Sequence, residues 1–247
     1  MALAKNLSVY INGYDLSDAV QSVDATGEME ALDKTALGNN ARRYENGLKQ
    51  GSASFSGVWN YDAATYDKIH DVLQSAITNG SMNYCIATLE SIAGNAVNKS
   101  AVMFQGVQTS YSVEVANAQL IMCNADIQVS DGVQYGAVVF NQSVTNTTVN
   151  GTPNVATTAT TNGGYFIIAA QNPSEVVGAT IKLQQSTNGG STWADFSPSC
   201  SITLTNAKFQ GASIEIARGV SIPTHIRAVA TVGSGGTISL VAAFARQ

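Results

Sequence analysis

The chain has 247 residues, of which 45% are hydrophobic and only 12% charged, with a formal net charge of −5. That length can bury a substantial core as one large or two small domains, and the hydrophobic content excludes a disordered chain. The charge is uneven: residues 1–135 carry seven Lys/Arg against fourteen Asp/Glu, and residues 136–247 five against three. An acidic first part excludes adhesion to a phosphate backbone, which needs clustered positive charge.

Residues 7–11 read as a short strand, with Asn12-Gly13 as its turn. From Ser22 to Ala31 the chain alternates. Val23, Ala25, Gly27, Met29 and Ala31 fall on one face; Ser22, Asp24, Thr26, Glu28 and Glu30 fall on the other. Period-two patterning predicts a half-buried strand with an acidic outer face. Ser52–Trp59 alternates in the same way, with Ala53, Phe55, Gly57 and Trp59 on its apolar side. Between them lies Leu32–Gly51, LDKTALGNNARRYENGLKQG. A connection of roughly twenty residues is long where compact domains use about two to six. It holds two adjacent arginines, a tyrosine, three glycines and charges of both signs, but no proline. We read the two strands as a long hairpin and this stretch as its tip, an assembly arm ordered by a neighbouring subunit.

A helix is predicted over Ala63–Thr78, with Asp62 as N-cap and Tyr66, Ile69, Val72, Leu73, Ala76 and Ile77 forming one buried stripe. Asn79-Gly80 ends it. Strands are predicted at Met82–Glu90, Ser100–Ser110 and Ala118–Ser130, with Asp131-Gly132 as a stop. The first domain is therefore 1–135. After Gly136 charge becomes scarce, and short segments recur between turn signals: Tyr165–Ala170, Ala179–Ser186, Ser201–Thr205, Ala212–Ala217, His225–Val232 and Thr237–Phe244. This spacing predicts an all-β sandwich over 136–247, immunoglobulin-like or jelly-roll-like. The fold class is mainly β: a first sandwich or barrel with one flanking α-helix, then a second sandwich.

Chemical motifs are scarce. Cys85, Cys123 and Cys200 are far apart in apolar contexts, which predicts buried free thiols and no zinc site. The segment MALAKNLSVY has no signal-peptide core, and no run approaches about 18 apolar residues, so neither export by a standard signal nor a membrane span is expected. His70 and His225 lie in no recognisable catalytic motif. No catalytic residue, metal or cofactor is expected. Asp24, Glu28 and Glu30 share one strand face, which reads as a hydrated surface and not as the opposed carboxylates of a glycosidase. On the arm, Arg42 and Arg43 suit carboxylates of an adjacent copy, with Tyr44 and Leu48 as anchors. Asp33, Lys34, Glu45 and Lys49 complete that contact set. Trp193, beside Asn188-Gly189-Gly190, is either a core residue or a surface glycan contact.

The segments NGYDLSD (Asn12–Asp18), the strand with Glu28 and Glu30, LDKTALGNNARRYENGLKQGSASFSGVW (Leu32–Trp59) and the helix after it resemble the major tail tube protein of long, flexible-tailed, siphovirus-type bacteriophages. The pattern Asp-x-Thr-x-x-Gly, then Arg, then Gly-Leu-Lys and a Ser-rich strand covers residues 12–60. The helix and later strands extend it to about residue 130. Ala179–Phe196 resembles an accessory sandwich carried by some tail proteins. The resemblance implies packed sheets flanked by a helix and rings, usually homohexameric, whose inner strands join into one barrel. It also implies that Leu32–Gly51 reaches the next ring and that the lumen is acidic, lined here by Asp24, Glu28 and Glu30. Viral DNA would pass without specific binding. The implied partners are further copies and the tape measure, distal tail and terminator proteins, in a virion tail assembled in host cytoplasm. The second sandwich would project outward. Alternative readings are a distal tail or capsid-decoration protein, and a carbohydrate-binding module in which Trp193 and Tyr165 contact sugar.

Overall fold

A computed structural model describes residues 7–37, 40–62, 68–89, 97–171, 179–197, 199–205, 207–233 and 235–247. Its elements in chain order are β1 (Ser8–Ile11), β2 (Tyr14–Asp15), β3 (Val20–Asp33), β4 (Tyr44–Val58), α1 (Ile69–Asn79), β5 (Met82–Thr88), β6 (Ser100–Glu114) and β7 (Met122–Thr145). Then follow β8 (Thr148–Asn150), β9 (Asn154–Val155), β10 (Gly164–Gln171), β11 (Thr180–Ser186), β12 (Ala194–Asp195), β13 (Ser201–Thr203), β14 (Phe209–Ile216), β15 (His225–Thr231) and β16 (Thr237–Arg246). The protein is mainly β, as its composition and alternation predict.

In the first half the strands pair antiparallel in the order β1-β5-β6-β7-β4-β3. The sheet curls so that Val9 and Ile11 of β1, Phe55 of β4, Phe104 of β6 and Ile127 of β7 meet in one core. Ile69, Val72 and Leu73 of α1 complete it. Burial of such side chains supplies about 1.5–3 kcal/mol each and holds the curl closed.

The helix differs from expectation at its start and in the burial of one stripe residue. It begins after Lys68, whose side chain makes no cap bond, and the backbone N–H of Asp62 donates to the Asp71 carboxylate at 3.2 Å, so Asp62 is not the N-cap. Residues 63–67, including Tyr66, lie outside the described residues. Ile77 is 36% exposed. At about 100° per residue it stands on the flank of the stripe made by Ile69, Val72, Leu73 and Ala76, near the helix end. Gly80 terminates the helix at φ 61°, as Asn79-Gly80 predicts.

Asp131-Gly132 does not stop its strand. Both residues have positive φ, 61° and 74°, and form a bulge within β7, where Ser130 pairs with Gln105 and Gln134 with Met103. The extra residues bend the strand and change its neighbours. Before the bulge β7 pairs with β4; beyond it, with β16. Residue 135 thus lies inside a 24-residue strand, and one ten-stranded sheet runs through both halves.

In the second half β14-β10-β16 and the end of β7 form one layer, facing a second sheet built on β11 and β15. Phe166, Ile168 and Ala170 of β10 pack into this sandwich beside Ile181, Leu183 and Ala228. The alternate residues Tyr165, Ile167 and Ala169 face the other way, onto Ile86 of β5 and Met103 of β6. A strand buried on both faces explains the unbroken apolar run YFIIAA. The Asn12-Gly13 turn fits into the same junction, and Tyr14 stacks on Phe209 with ring centroids 3.8 Å apart.

Candidate functional site

Half of the expected twenty-residue arm is strand. β3 and β4 pair as far as Asp33 and Tyr44, so the connection is only residues 34–43. Beyond Gly51, where β4 loses its β7 partner, the hairpin projects from the sheet with both faces in solvent. A strand with no buried face needs no alternation, so the usual sign of strand is missing there. A bulge opposite Glu30 is closed by Gly47, at which an added Cβ would come within 2.8 Å of the Glu30 Cβ.

The tip is organised by its own side chains. The Asp33 carboxylate accepts from Thr35 N–H at 2.9 Å, and the Thr35 hydroxyl accepts from Arg43 N–H at 2.9 Å. Lys34 pairs with Glu45 at 3.1 Å. The Thr35 side-chain and backbone bonds hold the Asp33 carboxyl below its ordinary pKa. Arg42 and Arg43 are exposed, with Arg42 Nη1 reaching the Tyr44 hydroxyl at 3.4 Å. Met29, Leu32, Leu37, Tyr44 and Leu48 are all exposed apolar side chains here, Leu48 at 80%. Lys49 pairs across the hairpin with Met29.

The register brings Asp24 and Glu28 to one outer sheet face. Asp24 is paired with Ser54, Ser54 with Asp126, and Asp126 with Ser110, a polar row across β3, β4, β7 and β6. Glu28 lies opposite Gln50, which donates to it at 3.1 Å, and Ser110 donates to Asp126 at 2.6 Å. Apart from Val58, Val107 and Met122, the face is Ser, Thr, Asn, Gln and carboxylates. Lys49 is the only basic residue in these four strands, and it pairs with Met29 on the opposite side of the hairpin from Glu28 and Gln50. Glu30 is also on the arm, outside the sheet proper. Asp126 joins this face through its register opposite Ser54 and Ser110.

All three cysteines are free and buried. Burial raises the Cys85 and Cys123 thiols and pushes Cys200 up to about 12. Because thiolate is the reacting form, an aromatic disulfide reagent at about pH 8 is expected to label the native chain at least ~100-fold more slowly than the unfolded one. Full labelling within the mixing time would contradict the packing. Trp193 is half-buried outside the main cores, with the Arg227 guanidinium over its ring at 4.4 Å. His70 Nδ1 lies 2.6 Å from the Tyr111 hydroxyl, and His225 Nδ1 2.9 Å from Thr224 Oγ1. Among the described residues no three His, Cys, Asp or Glu side chains stand together as a metal site. No described helix is long and apolar enough to cross a membrane.

No protein-family model matches the chain, and no curated protein matches its sequence. Solved structures similar to it include a chain of the virion of a native gene transfer agent particle, at 14% identity and TM-score 0.44, covering 56% of this chain and 100% of that one. The SPP1 tail tube is similar at 14% identity and TM-score 0.43, over 56% and 80% of the two chains. The SPP1 Dit protein, described as a hub adsorption apparatus in phages infecting Gram-positive bacteria, is similar at 10% identity and TM-score 0.39, over 97% and 99%.

Proposed function

We propose that the chain is a structural subunit of a bacteriophage tail tube, polymerising as stacked rings around an acidic lumen through which the genome passes. The observation that carries this reading is the four-stranded outer face with Asp24 and Asp126 and no cation, continued past Gly51 by an exposed hairpin arm whose first outward carboxylate on the same side is Glu28. A wall of this kind repels a phosphate backbone, so DNA slides along it without sticking.

Ring closure has an edge to use on each side. Among the described residues β3 is paired only with β4, and residues 108–114 of β6 only with β7. Joining these edges between neighbours removes two unprotected strand edges per copy. Six copies, as the resemblance implies, give a barrel of about 24 strands; at ~4.8 Å per strand and about 40° tilt its backbone diameter is roughly 48 Å. The second half stands outside this wall, and the tape measure, distal tail and terminator proteins are the partners this assignment implies. The subunit acts without catalysis or cofactor, and its place is the virion tail.

Negative-stain electron microscopy of the concentrated protein tests the assignment. Hollow tubes with a regular axial repeat are expected. Isolated rings would replace the tube subunit by a distal tail protein, and the absence of both would remove the support for either.

A further inference from the structure

The arm lies at one end of the curled sheet. At the opposite end β4 finishes at Val58, β6 at Glu114, and residues 115–121 turn the chain into β7. This turn exposes Val115 at 71% and Leu120 at 64%, next to exposed Val113. Apolar side chains grouped on a turn with nothing to pack on are the mark of a contact surface. Trp59, Tyr61, His70 and Tyr111 form a ring cluster at the same end, with successive centroids 5.6–6.2 Å apart. The His70–Tyr111 bond of 2.6 Å fixes two of those rings, so the surface is preorganised.

We propose that this far end is the seat for the arm of the next copy, an inference that rests on the stacked-ring reading. Charge selects the occupant. The tip, residues 34–43, carries Lys34, Arg42 and Arg43 and no carboxylate. Among the described residues the far end presents exposed Glu114 and half-buried Asp62, with half-buried Lys68 beside them. Leu37 and Leu48 of the arm match the apolar turn, and arginine stacks readily on aromatic faces. Reach agrees as well. From Gly51 to Tyr44 the arm extends ~23 Å at about 3.3 Å per residue, and the sheet body from Gly51 to Val58 is equally long. A copy shifted along the strands by roughly 45 Å brings its far end to the tip. Arm and seat lie at opposite ends of one subunit, so the contact is heterologous and repeats without closing.

The test uses two full-length variants. Val115→Asp with Leu120→Asp removes the seat, and Leu37→Asp with Leu48→Asp removes the arm anchors. All four side chains are exposed, so both variants should keep the wild-type thermal melt. Each alone is expected to form no tubes, while an equimolar mixture doubles the sedimenting mass of either, because one intact arm meets one intact seat. No doubling in the mixture overturns the seat. Tubes from both wild type and the seat variant overturn the seat and leave the tail-tube reading standing. A doubled mixture without wild-type tubes keeps the seat and removes the tail-tube reading.

Discussion

Arg42→Glu combined with Arg43→Glu is expected to leave the subunit folded and to stop tube growth. Both side chains are exposed on the 34–43 connection, and among the described residues Arg42 makes a long 3.4 Å approach to the Tyr44 hydroxyl. Exposed substitutions of this kind change stability by about 0.5 kcal/mol or less. Stacking is a different case, because every copy in a ring repeats the defect. A loss of about 1 kcal/mol per arm, summed over roughly six arms, weakens ring-on-ring binding by about 10⁴-fold. Reversed charge also sets glutamates against an acidic neighbour. The measurement is the critical concentration for tube formation beside an unchanged circular dichroism melt. Normal tubes from this variant would remove the arm from the assembly.

Gly13→Val is expected to have the largest effect on folding. Gly13 has φ +91°, and a Cβ there would lie 2.2 Å from the Ala170 carbonyl oxygen and 2.7 Å from Gln210 N, both in the other half of the chain. The preceding Asn12, itself at φ 52°, is held by Tyr84: its N–H donates to the Tyr84 carbonyl at 3.0 Å and its side chain accepts from Tyr84 N–H at 2.8 Å. The turn therefore cannot swing away. Backbone strain and overpacking together should cost more than ~3 kcal/mol. Because the site lies between the halves, guanidinium denaturation should show the loss in one transition shared by both. An unchanged midpoint, or separate transitions for the two halves in the wild type, would contradict the shared packing.

Much of the fold was legible because burial writes a period into the residues. Val23, Ala25, Phe55 and Ile127 alternate since one face meets the core, and the run at Tyr165–Ala170 loses alternation since β10 is covered on both sides. The arm was misread for the opposite reason: residues 44–50 bury neither face, so their pairing leaves no pattern. Asp131-Gly132 has the composition of a turn, and only the pairing of Ser130 and Gln134 reveals it as a bulge. The continuity of the sheet rests on pairs such as Phe140 with Ala242, too far apart in the chain for any local signal. Of the candidate surface, Asp24 and Glu28 were readable from their strand. Asp126 joins them only through register, and Val115 and Leu120 look like ordinary loop residues until the turn is seen to project them.

The long strand β7 has a consequence for the outside of an assembled tube. A decoration hung on a flexible linker swivels, and the distances between its copies average out. Here the second half is hydrogen-bonded to the first through β7 and β16, and β10 is packed against β5 and β6. Its copies would therefore form a surface lattice whose pitch is that of the rings. Any multivalent ligand on a cell envelope would meet fixed distances, and avidity would depend on matching them.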